Sequence, residues 1–185
     1  MLVAGSAGAR ERGDFHFRAR LGLGLGRAEV TGEYSTTATA DFGFAVGPAL
    51  SERVVLYGEF FGIAAVISEA DVEDSLVEID QGVVRTLGLG IGLTYYTDSD
   101  CYFSGTLGVT QAELDFNPYD SDTTEAETGF GLGGSLAAGR EFALGPNLGF
   151  GLEARAVFSV NDKGDELEES VTVYGLTLGG QITFH

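Results

Sequence analysis

The chain has little of what most soluble folds rely on: one cysteine, three prolines, no tryptophan, and ten basic residues against 28 acidic ones in 185 positions. The lone Cys101 excludes an internal disulfide, and with no CxxC motif or Cys/His cluster a structural zinc site is excluded too. The bases, Lys163 and nine scattered arginines, form no cluster, and the formal net charge is −18. Polyanions are held by grouped Lys and Arg, so nucleic acid is excluded as a partner. No apolar run reaches the roughly 18 residues that a membrane-spanning helix needs; the longest lies around Phe60 to Ile67. What the sequence has in excess is glycine, 29 residues. Each glycine in a helix interior costs on the order of 1 kcal/mol relative to alanine, so strands, turns and close backbone packing are expected instead.

With 44% apolar and 21% charged residues the chain has the material for one folded domain. Residues 1–13, small and polar, read as a flexible leader, and residues 14–185 as the folded unit. From Asp14 to Arg27 the series Phe15, Phe17, Ala19, Leu21, Leu23, Leu25 alternates with His16, Arg18, Arg20, Gly22, Gly24, Gly26. A period of two is a strand. The same alternation runs through Ala40 to Pro48, Val83 to Tyr95, Gly129 to Glu141, Leu148 to Val160 and Thr172 to Phe184. It is less regular in Arg53 to Ala64 and Cys101 to Ala112, which complete a set of eight. Short linkers at Gly47 to Arg53, Thr97 to Cys101 and Phe142 to Asn147 alternate with longer polar ones at 31–38, 66–81, 113–127 and 161–170. Short and long linkers therefore lie on opposite rims.

In a soluble barrel the bulky apolar face points inward and the outer face is rich in Lys, Glu, Ser and Thr. Here the face opposite the apolar one is mostly glycine, with a few charges. Glycine suits the crowded inside of a narrow barrel, and an unbroken apolar face of about 9 to 11 residues suits lipid. The expected fold is all-β, an eight-stranded antiparallel up-and-down transmembrane β-barrel. Phe15, Phe17, Tyr95, Phe103, Tyr174 and Phe184 are expected to form its interfacial girdles.

On these residues the chain resembles the small eight-stranded outer-membrane barrels of Gram-negative bacteria, the class containing OmpX, OmpW and the OmpA transmembrane domain. The resemblance spans residues 14–185. Thr177, Gly179, Ile182 and Phe184 fit the polar-x-Gly-x-x-apolar-x-apolar signal read by the barrel insertion machinery of that class, with His185 following the aromatic. It implies residence in the bacterial outer membrane among lipid and lipopolysaccharide, a monomer, short turns toward the periplasm, and long connections outside. The class spans adhesins, anchors, narrow pores and a few enzymes, so it implies no single activity.

Two groups of residues stand out. Arg18, Arg20, Asp41, Glu59, Glu153 and Arg155 all fall on the inward parity of their strands. Buried charges have to be paired, so these three cations and three anions are expected to form a plug across the lumen beside Tyr57 and His16, or, if a pair exchanges partners, a gate. The second group is acidic: 17 of the 28 acids lie in the segments 66–82, 113–127 and 161–169, with Lys163 the one base. Clustered carboxylates bind divalent cations, and Asp120, Asp122 and Glu125 are the candidates, although no EF-hand spacing is present and solvated loops are the simpler reading. No cofactor is expected. Gly129, Gly131 and Gly134 match GxGxxG inside a strand pattern, where that motif binds nothing. His16 and His185, the two histidines, have no hydrolase spacing, so no enzyme is expected. The functional readings are a plugged barrel working through acidic outer loops, a narrow gated channel or small-solute transporter, and a soluble lipocalin-like carrier.

Overall fold

Alternation of apolar and small residues leaves every strand with two unlike faces, and eight such strands can satisfy both faces and all backbone bonds only by closing on themselves. The computed structural model describes residues 14–30, 33–70, 79–116, 124–164 and 170–185 and shows that closure. The strands are β1 (Phe15–Val30), β2 (Glu33–Ser51), β3 (Val54–Ala70), β4 (Ile79–Tyr96), β5 (Cys101–Phe116), β6 (Thr124–Ala143), β7 (Leu148–Asn161) and β8 (Val171–Phe184). Each pairs antiparallel with the next, and β8 returns to β1 in a seam running from Phe17 opposite Phe184 to Val30 opposite Val171. The expected up-and-down barrel is the observed one.

The faces are also as expected. Leu21, Leu89 and Leu178 point outward with 63%, 69% and 73% of their surface exposed, whereas inward Arg18 and Glu59 keep 0% and 2%. All six expected girdle aromatics are outward and exposed: Phe15, Phe17, Tyr95, Phe103 and Phe184 near the short-turn end, Tyr174 near the other. Inward glycines make the narrow lumen possible. A Cβ on Gly43 would lie 2.6 Å from both Arg20 Nε and Glu59 Oε1.

The long linkers are shorter than the sequence suggested. β2 begins at Glu33, β3 continues to Ala70, β4 starts at Ile79, β5 reaches Phe116 and β6 starts at Thr124. The connections at that end span 31–32, 71–78, 117–123 and 162–170. The apolar outward face ends before the strands do, and the hydrogen-bond ladder carries on beyond it, supported by polar β-formers such as Thr36 and Thr37. Some of the acids assigned to loops therefore sit on strands. Asp115 accepts from Arg85 at 2.6 Å, so Lys163 is not the one base facing them. Asp120, Asp122 and residues 1–13 lie outside the described residues; Glu125 is placed on β6 opposite Asp115. The irregular pattern of β5 has a cause in a register shift between Gln111 and Glu113, where Thr128 Oγ1 accepts from the Ala112 N–H at 2.9 Å.

Candidate functional site

The lumen is built in layers, and strand parity decides which residues enter each. In the central layer β1, β2, β3 and β7 bring together the six charged side chains singled out above. Arg20 donates through Nη1 to both oxygens of Asp41 at 2.8 Å and through Nε to Glu59 Oε1 at 2.9 Å. Thr177 Oγ1 adds a bond to Asp41 at 3.2 Å, and the Thr106 hydroxyl donates to Glu59 Oε2. Arg155 grips Glu153 Oε1 through Nε and Nη2 at 2.9 and 2.8 Å and reaches Ser135 Oγ at 2.6 Å. The Tyr102 hydroxyl donates to Glu153 Oε2 at 2.8 Å.

Arg18 stands between the two groups. Its Nη1 donates to Thr94 Oγ1 at 3.3 Å, its Nη2 lies 3.9 Å from Glu59 Oε1, and its guanidinium carbon sits 4.6 Å from the centre of the Tyr57 ring. Nε and Nη2 of this fully buried side chain have no hydrogen-bond partner, nor do Gln181 Nε2 and Oε1 or Ser104 Oγ. Arg20 and Arg155 are thus held on two sides, and Arg18 is held loosely.

Toward the long-connection end the lumen becomes apolar. Ala28, Ile63, Ala65, Val84, Ala112, Leu114, Val157, Val171 and Val173 form one cluster, each with 3% or less of its surface exposed. Below it Thr110 Oγ1 donates to Asn161 Oδ1 at 2.8 Å. Toward the short-turn end Tyr57, Tyr96 and Tyr102 pack with Ala45 and Val55.

The short-turn mouth holds a group that the sequence reading did not assemble. His185 Nε2 is 2.8 Å from Glu141 Oε1, Tyr96 donates to Glu141 Oε2 at 3.2 Å, and His16 Nδ1 is 3.3 Å from His185 Nδ1. His16, expected in the lumen or at its rim, lies at the mouth with 1% of its surface exposed. Glu141 was read only as a strand end, although its odd parity on β6, shared with Ser135 and Ala137, signals an inward side chain. Its pairing with His185, 44 residues away, has no signal in the sequence.

Of the insertion-signal residues, Thr177 and Gly179 face the lumen, with Gly179 opposite Gly22, and Ile182 and Phe184 face outward. Gly129, Gly131 and Gly134 lie within β6, as the strand reading requires. Cys101 is free and half-buried at the start of β5.

The sequence model of the family described as "Outer membrane protein beta-barrel domain" matches residues 1–183. Among solved structures the chain is similar to Ail, the attachment invasion locus protein of Yersinia pestis, crystallised with the heparin analogue sucrose octasulfate. The two are 16% identical over 93% of this chain and 100% of Ail, with a TM-score of 0.55. Neisserial surface protein A is similar at 10% identity over 91% of this chain and 96% of that one, with a TM-score of 0.54. Comparison with the curated proteins found no match. At these identities the solved structures show the fold alone.

Proposed function

The chain belongs to the outer-membrane protein β-barrel domain family, and from that premise we propose that it is a closed, membrane-embedded platform whose work is done by its outer hairpins. It resides in the bacterial outer membrane. The observation that carries the proposal is the doubly closed lumen: a layer of paired charges, and beyond it an apolar cluster with 3% or less exposure at every member. In this reading the short turns face the periplasm and the long strands of β2 to β6 carry an acid-rich rim outward. Such a rim attracts divalent cations or a cationic partner and repels a polyanion like the one bound to Ail. Thr177, Gly179, Ile182 and Phe184 serve the insertion machinery. Closure of β8 on β1 leaves no strand edge unpaired, which supports a monomer. A soluble carrier with an apolar interior does not fit a lumen centred on arginines and carboxylates.

One observation favours a second reading, the gated channel: Arg18, with Nε and Nη2 lacking hydrogen bonds and Glu59 at 3.9 Å, is able to change partners. Single-channel recording of the refolded protein in a planar bilayer separates the two, with wild type set beside Glu59→Gln and Arg155→Gln. Silence from inserted, folded protein is the expected result. Discrete current steps altered by either substitution would replace the platform with the gated channel.

A further inference from the structure

We propose that His16 and His185 form a binding site for an imidazole-seeking divalent transition ion, Zn2+ or Cu2+, at the short-turn mouth of the lumen. The site is independent of what the outer hairpins bind. The two Nδ1 atoms face each other at 3.3 Å, with the rings inclined at 52°. A tetrahedral ion with Zn–N distances of about 2.0–2.1 Å places its ligands about 3.4 Å apart, so the pair is already spaced as two neighbouring ligands.

The surroundings set the chemistry of the pair. Glu141 Oε1 lies 2.8 Å from His185 Nε2, and its carboxylate is steadied at Oε2 by the Tyr96 hydroxyl. A carboxylate on one imidazole nitrogen fixes the proton there and leaves the lone pair on the other, which is how metal-binding histidines are oriented. Here it aims the His185 Nδ1 lone pair at His16. Without an ion, His16 Nδ1–H donates to that lone pair. With one, the His16 proton moves to Nε2 and both Nδ1 atoms become ligands, with no change in the charge of either ring.

Among the described residues no three His, Cys, Asp or Glu are grouped to hold an ion together; Glu141 meets the far nitrogen of His185, not the gap between the Nδ1 atoms. Water completes the coordination, and two nitrogens without carboxylate ligands favour Cu2+ or Zn2+ over Ca2+ or Mg2+. A groove of about 380 Å3 on the outer face of the rim, lined by Asp14 and the outward aromatics Phe15, Phe17 and Phe184, runs up to His185, and the exposed Asp14 carboxylate draws cations to that face. His16 is 1% exposed, so the ion reaches the pair by parting the two rings.

The test is Cu2+ binding to the untagged, refolded chain in detergent, followed by electron paramagnetic resonance, with excess Mg2+ present to occupy the acidic rim. The chain contains two histidines, so a spectrum showing two imidazole nitrogens on one ion per chain identifies the site in the wild type alone. Glu141→Gln is expected to keep the two-nitrogen spectrum and weaken binding about 10- to 100-fold, and His16→Ala is expected to leave one nitrogen. Circular dichroism confirms that each variant is folded. Bound Cu2+ without nitrogen coupling, or a spectrum and affinity unchanged in folded His16→Ala, would overturn the site.

Discussion

Glu59 faces partners on three sides: Arg20 and Thr106 donate to it, Arg18 lies 3.9 Å away, and 2% of its surface is exposed. Removing one partner of a buried ion pair leaves the other uncompensated, which typically costs about 3–5 kcal/mol. Glu59→Gln keeps the shape and removes the charge, so urea unfolding in lipid vesicles should show a loss on the order of 3 kcal/mol. Gly43→Ala attacks the same contact by volume, since its Cβ falls 2.6 Å from both Arg20 Nε and Glu59 Oε1. Forcing that pair apart should cost about 1–3 kcal/mol, and a double substitution with Glu59→Gln should cost less than the sum of the two. The six charged residues were legible because each sits at an inward parity of its strand, five of them in a clean alternation and Glu59 in the less regular Arg53 to Ala64. What parity does not carry is distance across the lumen. That Arg155 would close on Glu153 two residues away, and leave Arg18 with Thr94 and the face of Tyr57, depends on barrel girth and strand stagger.

At the scale of the strand, alternation located all eight elements, because lipid on one side and a crowded lumen on the other impose opposite residue types at successive positions. It mislaid their outer ends for the same reason. Beyond the band both faces meet water, apolar residues no longer mark one of them, and the strand persists on its backbone ladder alone; β6 runs 20 residues where a crossing needs about 9 to 11. The two zones should respond differently to the same charge. Leu89→Arg, within the lipid-facing band, should destabilise by about 2–4 kcal/mol, and Thr36→Arg, exposed on the extension of β2, by about 0–1 kcal/mol. Unfolding midpoints of the two variants in the same vesicles give the comparison. A large loss at Thr36 would mean that the band extends further along β2 than its apolar residues do.

For the molecule as a whole, the first and last strands lie side by side with Phe17 opposite Phe184, so positions 14 and 185 share one rim. A permuted chain that joins them by a short linker and opens between Asp98 and Ser99 keeps every strand pairing. It should refold in detergent with the far-ultraviolet circular dichroism of the parent. On the role proposed for residues 177–184 it should fail to assemble in cells, because a linker and β1 now follow them directly. Efficient assembly of the permutant would remove that role from Thr177, Gly179, Ile182 and Phe184. The closed ring also imposes an order in time. Seven of its eight pairings join neighbours along the chain and can form as hairpins, whereas the seam waits for ends separated by nearly the whole sequence. Until that last step β1 and β8 each present a bare row of backbone donors and acceptors, able to pair with another chain as readily as with each other. A net charge of −18 makes two such unfinished barrels repel, so the acidity concentrated at the long-connection end also protects the protein during the interval before it closes.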